Sequence, residues 1–108
     1  MPRTTEQTET RTVPHPLDRA RATLVQALET LGALDLEAKA EGDSHTVTGV
    51  VGSGFFNMNP VCLAVLLESI DESQTRVTVR GTAKEGLIPQ HSAAKAIARL
   101  FETWVVGS

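Results

Sequence analysis

The sequence predicts an α+β domain: a four- or five-stranded antiparallel meander sheet with an N-terminal and a C-terminal helix packed on one face. Three observations carry this. Apolar residues recur at helical spacing near each end of the chain. Between them lie segments of strand-like alternation separated by short turns, so neighbouring strands pair antiparallel. The most apolar of these, Val61-Cys62-Leu63-Ala64-Val65-Leu66-Leu67, has no polar alternate position. A strand apolar on both sides implies a sheet covered on both faces over part of its length.

The polar start, residues 1–9, reads as a flexible N-terminus, and residues 10–106 as a single α+β domain. Thr4 to Val13 alternates Thr with Gln, Glu and Arg, and a short strand is expected near its end, leading into the corner Val13-Pro14-His15-Pro16. Pro16 suits the first turn of a helix. Leu17, Ala20, Leu24, Leu28 and Leu31 follow at three- and four-residue steps, with Gly32 as the stop. Leu34, Leu36, Ala38 and Ala40 then alternate with Asp35, Glu37, Lys39 and Glu41, which reads as a strand with one wet face, and Glu41-Gly42-Asp43-Ser44 supplies a turn.

Further strands are expected over 45–51, 60–70 and 75–84. In the last, Val77, Val79 and Gly81 face opposite Arg76, Thr78, Arg80 and Lys84. Pro89 opens a final helix whose stripe is Ala93, Ile97, Leu100 and Trp104, with Phe101 beside it. Leu24, Leu28, Ile97 and Trp104 are expected to meet Leu63, Val65 and Val77 in the core.

Composition narrows the function. At 108 residues the chain suits one core, and splitting it would leave each part too small to stand alone. The net charge of -3, with ten basic residues scattered among thirteen acids, argues against nucleic acid as a partner. No apolar run is long enough for a membrane span, and the polar start lacks a signal-peptide core, so a cytoplasmic protein is expected. The lone Cys62 excludes an internal disulfide, and its apolar strand suggests a buried, inert thiol. Gly52 and Gly54 precede no phosphate-binding motif. His15 and His45 are expected at the turn end of the sheet near Asp43 and Asp71 as ordinary surface residues, because no metal-ligand spacing is present. Ser92 reads as a helix cap rather than a nucleophile. No catalytic residue, metal or cofactor is expected, and the chain does not read as an enzyme.

The element order, together with Thr12-Val13-Pro14-His15-Pro16-Leu17 leading into the first helix, resembles a shortened START-like helix-grip domain over residues 10–105. It is also similar to the small helix-grip modules of bacterial outer-membrane assembly lipoproteins. The resemblance implies a small apolar ligand or lipid held between the sheet and the C-terminal helix. The chain departs from the larger family in having too few strands for a deep cavity, and from the lipoproteins in lacking an N-terminal acylation cysteine.

Two candidate surfaces emerge. Loops 52–60 and 85–91 fall at one end of the sheet, bringing Phe55, Phe56 and Met58 towards Leu87, Ile88 and His91, either as a lid on the core or as a binding surface. On the sheet itself, Cys62, Ala64 and Leu66 should point away from the helices, flanked by Thr48 and Val50. This patch is too apolar for a wet face and too flat for a deep pocket, so a second sheet is its natural cover. The expected function is a non-catalytic protein-interaction module, homodimeric through the helix-free face. The alternatives are another protein partner or the small apolar ligand just named.

Overall fold

The computed structural model describes residues 3–53, 59–85 and 91–104. In chain order the elements are β1 (Arg3–Val13), α1 (Leu17–Thr30), β2 (Leu34–Glu41), β3 (Ser44–Ser53), β4 (Asn59–Asp71), β5 (Gln74–Glu85) and α2 (Ser92–Thr103). The strands form one antiparallel sheet in the order β1-β5-β4-β3-β2. Both helices pack on the same face, as their buried stripes require: Ala20, Leu24, Ala27 and Leu28 from α1, and Ala93, Ala96, Ile97 and Leu100 from α2.

Local chemistry sets the boundaries. Pro16 sits just before α1 with extended backbone, where its missing N–H costs no helical bond. At the other end Gly32 takes φ 77°, which a side chain would resist, and the amides of Gly32 and Ala33 donate to the carbonyls of Glu29 and Leu28. The two tight turns of the meander lie side by side, joined by the Ser69 amide donating to the Asp43 carbonyl at 3.2 Å. In the second turn the Asp71 carboxylate accepts from the Ser73 amide at 2.8 Å and its hydroxyl at 3.0 Å. These donors, the amide foremost, hold the Asp71 pKa below its usual 3.8.

The core fills the space between sheet and helices. Leu24, Leu28, Leu63, Val65, Val77, Ile97, Leu100 and Trp104 are all buried there. Gly81 permits the close seating of α2: a Cβ at this position would lie 3.3 Å from Leu63 and 3.4 Å from Ala93. A polar chain then ties three elements together. The Arg11 guanidinium of β1 lies 3.9 Å over the Phe101 ring, Phe101 stacks on Trp104 at 6.1 Å, and Trp104 Nε1 donates to Thr23 Oγ1 of α1 at 2.8 Å. Arg11 Nε also approaches Glu9 Oε2 to 2.6 Å, an ion pair aligned too poorly for a hydrogen bond.

Three expectations need correction. The first strand is not short: residues 3–9, read as a flexible start, pair with β5 in unbroken register from Arg3 opposite Glu85 to Val13 opposite Thr75. Alternating Thr and charged residues suit an edge strand, and a long free edge on β5 supplies the partner. β2 does not keep one dry face. A bulge between Leu34 and Glu37, with Asp35 at φ 54°, breaks the alternation, and only Leu36 is half-buried against the core. As the outermost strand on its side, β2 leaves Ala38 and Ala40 exposed. Finally, His45 is not a surface residue. Its register opposite Leu67 turns it inward to 8% exposure, and among the described residues its Nδ1 has no hydrogen-bond partner.

Candidate interaction face

Strict alternation along β4 sends Val61, Leu63, Val65 and Leu67 to the helix side and Cys62, Ala64 and Leu66 to the other. No helix among the described residues covers that second side. The register aligns its residues in rows across the sheet: Cys62 between Thr82 and Val50, Ala64 between Arg80 and Thr48, and Leu66 between Thr78 and Thr46. The expected face residues Thr48, Val50, Cys62, Ala64 and Leu66 thus lie together. Cys62 and Leu66 are exposed, Leu66 to 37%, while Thr48, Val50 and Ala64 are half-buried by their neighbours. This corrects the buried thiol: an apolar strand does not bury a residue that faces away from every helix.

Two adjoining depressions mark the face. One, of about 430 Å³, is lined by Thr8, Thr46, Ala64, Leu66, Thr78 and Arg80, among others. The other, of about 390 Å³, is lined by Glu37, Thr48, Val50, Cys62, Arg80 and Thr82, among others. Arg80 and Ala64 border both. The sequence set Arg80 with Arg76 and Lys84 on one side of the fourth strand and read the alternating threonines of Thr4 to Val13 as a strand signal, but joined neither to this face. The alternation of Thr at positions 4, 8, 10 and 12 was the available signal, since it sends all four to the same face once β1 joins β5.

The second candidate surface is only partly visible. Phe55, Phe56, Met58, Leu87 and Ile88 lie outside the described residues. His91 is exposed just before α2 with φ 54°. The flanks of the two loops do adjoin, through Asn59 Nδ2 donating to Ser92 Oγ at 3.2 Å and Arg99 donating to the Gly52 carbonyl at 3.4 Å. A small depression of about 70 Å³ borders His91, Ala93 and Ala94 together with Thr5, Glu6 and Gln7. Among the described residues no group of three His, Cys, Asp or Glu could hold a metal ion, and no helix is long and apolar enough to cross a membrane.

A five-stranded antiparallel sheet gripping a C-terminal helix, with a second helix on the same face, defines a helix-grip fold. Among solved structures the chain is similar to Ara h 8.0201, with a TM-score of 0.56 and 18% identity over 94% of this chain and 95% of that one. At that identity the likeness is one of fold. An uncharacterized protein from Bacillus thuringiensis gives a TM-score of 0.48 at 10% identity, covering 91% of each chain. The Zhui aromatase/cyclase from Streptomyces sp. R1128 gives 0.43 at 13% identity, over 94% of this chain and 87% of that one. No protein-family model matches the chain, and no curated protein sequence matches it.

Proposed function

We propose that this domain is a non-catalytic self-association module, two copies meeting through their helix-free sheet faces. The observation that carries the reading is the exposure of Cys62 and Leu66 on a strand whose alternate residues are fully buried. Each square ångström of that apolar surface left in water forfeits about 25 cal/mol that a partner would recover. The same face that holds the apolar centre is ringed by threonines, whose methyl and hydroxyl groups tolerate both water and a facing sheet. The alternative, a small apolar ligand between sheet and α2, draws on the shared fold. Against it stand the close seating of α2 at Gly81 and the burial of Trp104, whose indole N–H is already bonded to Thr23.

Sedimentation at high micromolar concentration tests the proposal: the unmodified chain should sediment as a dimer and Ala64→Glu as a monomer. Cys62 should react slowly with a maleimide in the dimer and rapidly in the variant. A monomeric unmodified protein overturns the reading.

A further inference from the structure

The charges of the helix-free face are distributed unevenly across its strands. Positive ones concentrate on β5, where Arg76, Arg80 and Lys84 share the face, while β2 places Glu37 and Glu41, with Lys39 between them, on the opposite flank of the β3–β4 centre. Among the described residues, none of Arg76, Arg80, Glu37 and Glu41 has a side-chain ion pair within the chain. Arg80 and Glu37 occupy the same row, separated by Ala64 and Thr48, and Arg76 and Glu41 occupy another, separated by Glu68 and Ser44.

The geometry points to one arrangement of the self-associated pair, an inference that rests on the dimer reading: a two-fold axis runs parallel to the strands, between β3 and β4, so that β5 of each copy lies over β2 of the other. Two sheets can meet face to face under two-fold symmetry only about an axis lying between them. Placed between β3 and β4, that axis keeps every row and reverses its order. Arg80 then faces Glu37 of the second copy, and Arg76 faces its Glu41, while Lys39 comes over the uncharged Thr78. At the centre Cys62 meets Val50, Ala64 meets Thr48, and Leu66 meets Thr46. Leu34, 68% exposed and aligned with Val50, comes over Thr82.

Packed sheets stand about 10 Å apart, a gap that facing Arg and Glu side chains span. The roughly 30° offset usual between such sheets moves these pairs by about one residue, within their reach. Two other axes fail on charge. An axis crossing the strands would set the basic column of β5 against its own copy, and one lying along β4 would bury Arg80 against Thr48 with no counter-charge. The four overlapping strands cover roughly 600 Å² per copy from strand spacing and rise, near the lower limit for a specific interface, so a reversible dimer is expected.

Complementary charge reversal tests the arrangement. Arg80→Glu alone sets carboxylate against carboxylate where β5 of one copy meets β2 of the other, and Glu37→Arg alone sets guanidinium against guanidinium there. Each variant by itself should therefore dimerise at least about tenfold more weakly than the unmodified chain. Mixed in equal amounts, the two variants should form a heterodimer close to the original affinity, because at both contacts the carboxylates of one copy then face the guanidinium groups of the other. The decisive single chain is the double variant Arg80→Glu with Glu37→Arg. In it every facing pair is again opposite in charge, and sedimentation should show a dimer close to the original affinity. Unchanged circular dichroism melting would establish that each variant folds. Should the unmodified chain dimerise while the double variant is no tighter than the single ones, the proposed axis is wrong and the dimer reading stands. A monomeric unmodified chain would overturn both.

Discussion

On one side of β4, Val61, Leu63, Val65 and Leu67 are at most 1% exposed, while one residue along the strand Cys62 and Leu66 are open to solvent. The two sets differ little in polarity. What separates them is size and company: the buried set is uniformly Val and Leu and meets the stripes of α1 and α2, whereas the open set includes Cys62 and Ala64 and is bordered by Thr46, Thr48, Thr78 and Thr82. Small and β-branched residues make a level surface. Such a surface suits another sheet, while the larger residues interdigitate with helices. The hydrophobic pattern of a strand therefore identifies two buriable faces, and the shape of each face indicates what is fitted to cover it.

That contrast can be broken most severely on the covered side. Leu28→Ala should lower the stability of the fold by about 2–5 kcal/mol in urea melts, because a cavity opens beneath fully packed neighbours. Leu66→Ala on the open side should change monomer stability by less than about 1 kcal/mol while weakening self-association. Equal losses of stability from both would erase the distinction between the faces.

A smaller effect is expected at the seam between helices. Trp104→Phe removes the indole donor to Thr23 and should cost about 1–3 kcal/mol by the same assay. The sole tryptophan should also emit at shorter wavelength in the folded protein than in urea. Emission that does not change on unfolding would show α2 undocked.

Smaller still is Arg11→Ala, which deletes an exposed ion pair and the contact over Phe101 and should cost roughly 0.5–1 kcal/mol. A cost of several kcal/mol would mean that β1 is held mainly by this side chain rather than by its pairing with β5.

The least effect belongs to the turn at Asp71. Its folded pKa is depressed, so its contribution is present above the unfolded value near 3.8 and is lost as pH falls through the lower, folded one. Asp71→Asn should melt slightly below the unmodified protein at neutral pH, and the gap should close in acid. A gap that persists or widens in acid would remove the carboxylate from the account of this turn.

The sequence by itself determined the order of the elements, the paired strands of the meander and the stripes of both helices, and left the sheet at four or five strands. Period and turn chemistry are local properties, written over a few adjacent residues. Pro16, Gly32 and the turns at 42–43 and 72–73 mark their boundaries without reference to the remainder of the chain. It also placed Cys62, Ala64 and Leu66 on one side, because alternation fixes which residues share a face. Tertiary structure decided the rest. β1 finds β5 some seventy residues away, β2 overhangs the helices instead of packing beneath them, and His45 turns inward through its register with Leu67. Each outcome depends on which surfaces meet after the chain closes long loops, and no pattern confined to one segment encodes that meeting. The depressions around Arg80 belong to the same class, since they exist only once four strands bring Thr8, Arg80, Ala64 and Thr48 into one row.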